Sequence, residues 1–169
     1  MVEAALAAGA DQVLILPSYR PPHKADHIIA SDEQRVEMCG RLAKGLEKAR
    51  VETLEIDEKL RYTADTLRRL HEMYPDNELI LLLGADALRS LRWWKSAESI
   101  VASAEIWAFH RGGSDDVGLP NVRYVDTAIP AVSSSDVRGR CLRGESIQGL
   151  VPKSVEQYIL SEHLYESEE

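Results

Sequence analysis

Along most of this chain, short apolar runs alternate with longer stretches of helical spacing, and that alternation limits the fold more than any other feature. Strands separated by helices pair in parallel within one sheet, and the helices cover its two faces. The expectation is therefore α/β, a Rossmann-like doubly wound parallel sheet. An alanine-rich helical piece from Val2 to Ala8 stops at Gly9, and Gln12 to Leu16 is an apolar run ended by Pro17. Ser31 and Gln34 have the spacing of a capping box. Val36, Cys39, Leu42 and Leu46 then recur at helical intervals, which predicts a helix from about Asp32 to Leu46. Val51 to Ile56 alternates as a strand does. Thr63 is placed to cap a helix with Ala64, Leu67 and Leu70 on one face and Pro75 beyond its end. Leu79 to Leu83 is the longest apolar run. It is continuous, so it predicts a strand buried on both faces near the sheet centre, closed by Gly84. A helix through Ile100, strands at Glu105 to Phe109 and Val122 to Val125, and two terminal helices complete the order. Pro152 opens the second of these, and an acidic stretch, Glu166 to Glu169, follows.

The 169 residues, 44% hydrophobic and 28% charged, suffice for one core. The expectation is a single domain over 1–169, with 133–165 its C-terminal helical part. A formal charge of -8 disfavours nucleic acid and anionic membrane, which leaves small metabolites as the expected ligands. Cys39 and Cys141 have neither CxxC spacing nor a nearby histidine, so no disulfide framework or zinc site is indicated. No apolar run approaches the ~20 residues that span a bilayer, and no basic region precedes an apolar one at the start. A cytoplasmic protein is expected, and a homo-oligomer is left open.

Ligands of doubly wound sheets bind beyond the carboxyl ends of the strands. The residues that follow each apolar run are the ones that matter. Pro17-Ser18-Tyr19-Arg20-Pro21-Pro22-His23-Lys24 is a stiff turn carrying a cation, although a plain polar proline loop accounts for it as well. Arg61-Tyr62-Thr63 opens a helix whose N–H groups can meet an anion, and ordinary capping explains Thr63 equally. Gly84-Ala85-Asp86 offers close backbone approach and a carboxylate for a ribose. Trp93 and Trp94 cannot both face the core of one helix, so one is expected to pack and the other to stack. His110-Arg111-Gly112-Gly113 sets a cation on a turn. Ser133-Ser134-Ser135-Asp136-Val137-Arg138 gathers hydroxyls and N–H groups at a helix start, which suits a polyphosphate or is simple serine capping. Three cations and several helix starts gathered at one edge of an acidic protein favour a phosphate-bearing substrate. No nucleophile with a paired base is present, so transfer would depend on positioning and electrostatics.

These residues resemble the bacterial nicotinate-nucleotide adenylyltransferases of the nucleotidyltransferase superfamily. The series that carries the resemblance is Leu16-Pro17 through Lys24, Tyr62 to Leu67, Gly84-Ala85-Asp86 with Trp94, and Val132 to Arg138, with Leu150-Val151-Pro152, Val155, Tyr158 and Ile159 at the end. The resemblance implies a nucleotidyltransferase-type sheet and transfer of AMP from ATP, with Mg2+, to nicotinate mononucleotide, giving nicotinate adenine dinucleotide and pyrophosphate. It implies that Lys24 and Arg111 face substrate phosphates, that Tyr62 and Thr63 read the nicotinate carboxylate, and that Trp94 stacks on the pyridine. Gly84 and Asp86 would meet the adenylate ribose, and Ser133, Ser134, Ser135 and Arg138 the ATP phosphates. Ser135 stands where the family more often has threonine.

Two departures follow from the same resemblance. Lys95 occupies a position where relatives often carry an aromatic residue or histidine, which puts a charge in the stacking wall. The family also opens with a strand and a GxFDPxHxGH loop, whose histidines would be the catalytic groups, and no HxGH occurs here. The expectation is an internal methionine taken as a start, or a fragment. The absent first strand would leave two inner sheet edges unpaired, beside Gln12 to Leu16 and Leu79 to Leu83, and the chain alone would be poorly stable and nearly inactive. Rival readings are a sister adenylyltransferase acting on nicotinamide mononucleotide or phosphopantetheine, and a non-catalytic nucleotide-binding fragment.

Overall fold

The computed structural model describes residues 1–20, 30–109, 118, 121–127 and 132–166. The strands β1 (Val13–Ile15) and β2 (Ala49–Val51) pair in parallel, with Val13 opposite Ala49. The strands β3 (Ile80–Gly84), β4 (Glu105–Phe109) and β5 (Val122–Val125) form a parallel sheet in that order. Helices intervene between these strands as the alternation requires: α2 (Asp32–Ala43), α3 (Leu54–Asp57) and α4 (Thr63–Met73), then α5 (Ala85–Ser90) and α6 (Ala97–Ser103). The α1 helix (Val2–Ala7) precedes them, and α7 (Ser134–Leu142) and α8 (Lys153–Ser161) follow.

Burial shows why the layers hold. Along β4, Ile106 and Ala108 enter one apolar cluster and Trp107 and Phe109 another, the two-residue period of a strand covered on both faces. On one side Leu67 of α4, Leu88 of α5, Leu91 and the α6 residue Ile100 close on Leu83, Ile106 and Ala108. On the other, Ala5 and Ala10 share a cluster with Val13, Trp107, Phe109 and Val125, so the α1 region contributes to a layer common to both sheets. A third cluster joins Val137 and Cys141 of α7 to Ile147, Val155, Ile159 and Leu164, with Met38 and Leu42 of α2 packed on it. Each fully buried Leu or Ile contributes about 1.5–3 kcal/mol, so these clusters are the main source of stability.

Several expectations hold in detail. Ser31 caps α2 with its hydroxyl on the Gln34 N–H while the Gln34 side chain accepts from the Ser31 N–H at 2.8 Å. Gly9 stops α1 at φ +109°. The Pro152 carbonyl accepts from the N–H groups of Val155 and Glu156, which starts α8.

Others need correction. The strand expected over Val51 to Ile56 ends at Val51, and Leu54 begins α3. Leu54 is buried, and the Thr53 carbonyl takes the N–H groups of Ile56 and Asp57, so local turn bonds win over the ladder once β1 has ended. The helix through Ile100 is two helices joined by a 3-10 turn, Leu91–Trp93, and broken at Ser96, whose backbone is left-handed at φ 56°. Thr63 does not cap α4. It is the first helical residue, Tyr62 holds the cap position, and no side chain caps the helix. The run Leu79 to Leu83 is not a fully buried central strand: β3 bonds only to β4 among the described residues, and of its residues only Leu83 is buried. β1 likewise bonds only to β2, so the sheet stands in two pieces with β1 and β3 unladdered to each other.

Candidate functional site

Parallel pairing puts Gly84, Phe109 and Val125 in register at one sheet edge, and α5 begins at Ala85 directly beyond it. A Cβ built on Gly84 would meet nothing within 4 Å, so there is open space against the backbone at this strand end. Asp86, in the first turn of α5, has a side chain 82% exposed and pairs with Arg89. It faces solvent and is available to hydroxyl donors.

The start of α4 is the most built part of the site. Tyr62 is extended (φ -128°, ψ 133°), and its carbonyl accepts from the N–H groups of Asp65 at 2.9 Å and Thr66 at 3.2 Å. Among the described residues no side chain caps this end, the positive end of an 11-residue helix, where first-turn N–H groups favour an anion. The segment between the 3-10 turn and α6 lies beside it. Trp94 packs with the cluster containing Leu67, Leu83 and Leu91, and its Nε1 donates to Ser90 Oγ at 3.1 Å. Trp93 is 77% exposed, with the Arg92 guanidinium 5.4 Å from its ring centroid. Of the two indoles, Trp94 is therefore the anchored one. Lys95 Nζ sits 4.0 Å from the Tyr62 ring centroid and 3.8 Å from Asp65 Oδ2, which ties this segment to the α4 start.

Behind α4 lies a network that spacing arguments miss. Glu55 of α3 is half-buried and accepts from Thr66 Oγ1 at 2.9 Å. Burial pushes its carboxyl above the ordinary range, opposed in part by hydrogen bonds from Thr66, the Tyr19 N–H and the Ser18 hydroxyl, and by the Arg35 charge. Arg35 of α2 donates to the Ser18 carbonyl and to Asp32. The loop after β1 is thereby fastened to α2, α3 and the first turn of α4. No local motif signals Glu55, because its partners lie far away in sequence.

The serine-rich start of α7 divides between two roles. Ser133 is the N-cap: its hydroxyl accepts from the Asp136 N–H at 3.1 Å, and the Asp136 carboxylate accepts from the Ser133 N–H at 3.1 Å. Ser134 and Ser135 are exposed, and Arg138 donates to Ser135 Oγ at 3.2 Å. Lys24 and Arg111 lie outside the described residues. Among the described residues no three His, Cys, Asp or Glu side chains group to hold a metal ion, and no helix is long and apolar enough to cross a membrane.

Residues 1–140 match the cytidylyltransferase-like family. A probable nicotinate-nucleotide adenylyltransferase of Desulfitobacterium hafniense strain Y51 is 34% identical over 168 residues, covering 92% of this chain and 81% of that protein. One of Exiguobacterium sibiricum is 36% identical over 159 residues, covering 92% and 83%. The fold is similar to that of Plasmodium falciparum nicotinic acid mononucleotide adenylyltransferase complexed with NaAD, at a TM-score of 0.74 and 19% identity, covering 92% of this chain and 82% of that one. In its complex with APC the TM-score is 0.67 at 17% identity, covering 92% and 98%. The family match and these relatives show that the chain belongs to the cytidylyltransferase-like family and, within it, to the nicotinate-nucleotide adenylyltransferases.

Proposed function

We propose that this chain binds nicotinate mononucleotide and ATP and serves adenylyl transfer between them in NAD biosynthesis. An oxygen of the mononucleotide phosphate forms a bond to the α-phosphorus of ATP, the bond to the β-phosphate breaks, and pyrophosphate leaves with the electron pair. The observation that carries the reading is the juxtaposition of the α4 start, Tyr62-Thr63, with Lys95, next to which Trp94 packs on the same apolar cluster as Ala64 of α4. A pyridine carboxylate needs N–H donors and an apolar wall side by side, and this corner supplies both.

In this assignment Thr63 and the backbone beside it receive the carboxylate, Tyr62 and Trp94 bound the ring, and Lys24 and Arg111 attract the phosphates. Gly84 gives the adenylate room, and Asp86 accepts hydrogen bonds from its ribose. Ser134, Ser135 and Arg138 face the ATP phosphates, with Ser133 fixing the helix start that presents them. Magnesium would enter with the nucleotide substrate and would neutralise charge on its phosphates. With ATP as a substrate, the compartment proposed for the chain is the cytoplasm.

The test is pyrophosphate release from ATP and Mg2+ on adding nicotinate mononucleotide, alongside calorimetric titration of each nucleotide. Saturable binding of both substrates, with pyrophosphate formed only when both are present, is the expected result. Binding without turnover would move the assignment to a nucleotide-binding role. No binding of either would end it.

A further inference from the structure

We propose that Lys95 is the residue by which this chain selects a carboxylate-bearing pyridine nucleotide over its uncharged amide counterpart, an inference that rests on the site reading above. The start of α4 carries a conflict. Its first N–H groups, which no side chain caps among the described residues, attract an anion, but Asp65, the third helical residue, puts a carboxylate in the same first turn. Asp65 side-chain exposure is 40%, so its charge is only partly screened by water and opposes an incoming nicotinate carboxylate.

Lys95 is placed to cancel that opposition. Its ammonium lies 3.8 Å from Asp65 Oδ2 and 4.0 Å from the Tyr62 ring centroid, so it stands over the first turn. Two features fix the backbone that presents it. Trp94, the preceding residue, is anchored through Ser90 and the core, and Ser96, the following one, is a left-handed turn that opens α6. The Lys95–Asp65 pair is partly exposed, a kind of pair worth little by itself, so the ammonium can turn from Asp65 to a substrate carboxylate at small cost. The Tyr62 ring face holds the cation in either position. An amide in place of the carboxylate offers the ammonium only a neutral acceptor and gains less from that charge. Lys95 is therefore a specificity residue for the pyridine substituent and takes no part in the transfer step.

The experiment is equilibrium binding of nicotinate mononucleotide and nicotinamide mononucleotide, each titrated separately into the full chain by calorimetry. The proteins are the unaltered chain and the variants Lys95→Gln, Lys95→Arg and Asp65→Asn. Lys95→Gln is expected to weaken nicotinate mononucleotide by about tenfold while leaving the amide within about twofold, because the ion pair adds an attraction between opposite charges that the neutral amide carbonyl lacks. Lys95→Arg should hold the preference, and Asp65→Asn should tighten nicotinate binding. An equal change for both ligands on Lys95→Gln, or none for either, overturns the proposal while leaving the site reading intact. If the unaltered chain binds neither nucleotide, the site reading fails and this inference falls with it.

Discussion

At the scale of single residues, Glu55 and Ser133 show how the site is held before any ligand arrives. Burial raises the Glu55 carboxyl above its ordinary value of 4.5, so between that value and its folded one the folded state binds more protons than the unfolded state. By linkage, the Glu55 contribution to stability increases as pH falls through that interval and is least at neutral pH, opposite to an ion-paired acid. Glu55→Gln keeps an acceptor for Thr66 and removes the half-buried charge. Its melting temperature at pH 7 is expected to be no lower than that of the unaltered protein, and the gap between the two should close as pH is lowered toward 4.5. A variant that melts well below the parent at pH 7 would show that the charge itself holds the network. Ser133→Ala removes a cap and should cost about 1 kcal/mol in urea unfolding with no nucleotide present. Ser135→Ala, at an exposed first-turn position, should leave unfolding nearly unchanged and weaken ATP binding in a direct titration.

At the scale of elements, the turn from α5 to α6 does two jobs with nearby residues. Leu91 has 0% exposure and roots the 3-10 turn in the core, while Lys95, just beyond the anchored Trp94, faces the α4 start. Leu91→Ala leaves a cavity and is expected to cost about 2–5 kcal/mol by denaturant unfolding. Because the cavity lies under the anchor of Trp94, the same variant should weaken nicotinate mononucleotide more than ATP. An equal loss for both would show that the turn is merely structural. The break at Ser96 explains why helical periodicity overstated the length of this element: hydrophobic spacing persists through Ile100, but one left-handed residue redirects the axis.

At the scale of the whole molecule, the division of the sheet into two pieces leaves stability to be gained. Among the described residues β1 and β3 each have one edge without a ladder, and the cluster around Ala5, Val13 and Phe109 holds the pieces beside one another through side chains. An extended segment that paired with both edges would satisfy several backbone donors and acceptors and bury more of Ile80 and Leu82. Linking such a segment to the chain is expected to raise the melting temperature by on the order of 5 °C or more, and a proline at its centre should abolish the gain. No rise in a thermal melt would show that the two edges are closed to pairing.

The order of elements was legible in the amino acids alone, since apolar periodicity and caps act within a few residues: the Ser31 box, the Gly9 stop and the full span of β4 could all be read from spacing. The carboxyl-edge motifs were legible for the same reason, because a glycine or serine after an apolar run announces a strand end or a helix start. Whatever depends on distant partners had to wait for the packed layers. Thr63 lost the cap position to Tyr62, Trp94 became the anchored indole and Trp93 the exposed one, and Lys95 came to rest over the ring of Tyr62, a residue from a separate element. Glu55 became a half-buried fastener for Ser18 and Tyr19 after β1, and among the described residues the most apolar strand came to lie at an edge. Hydrophobic pattern sets how much of a segment is to be buried, but which neighbour buries it is settled only when the layers pack.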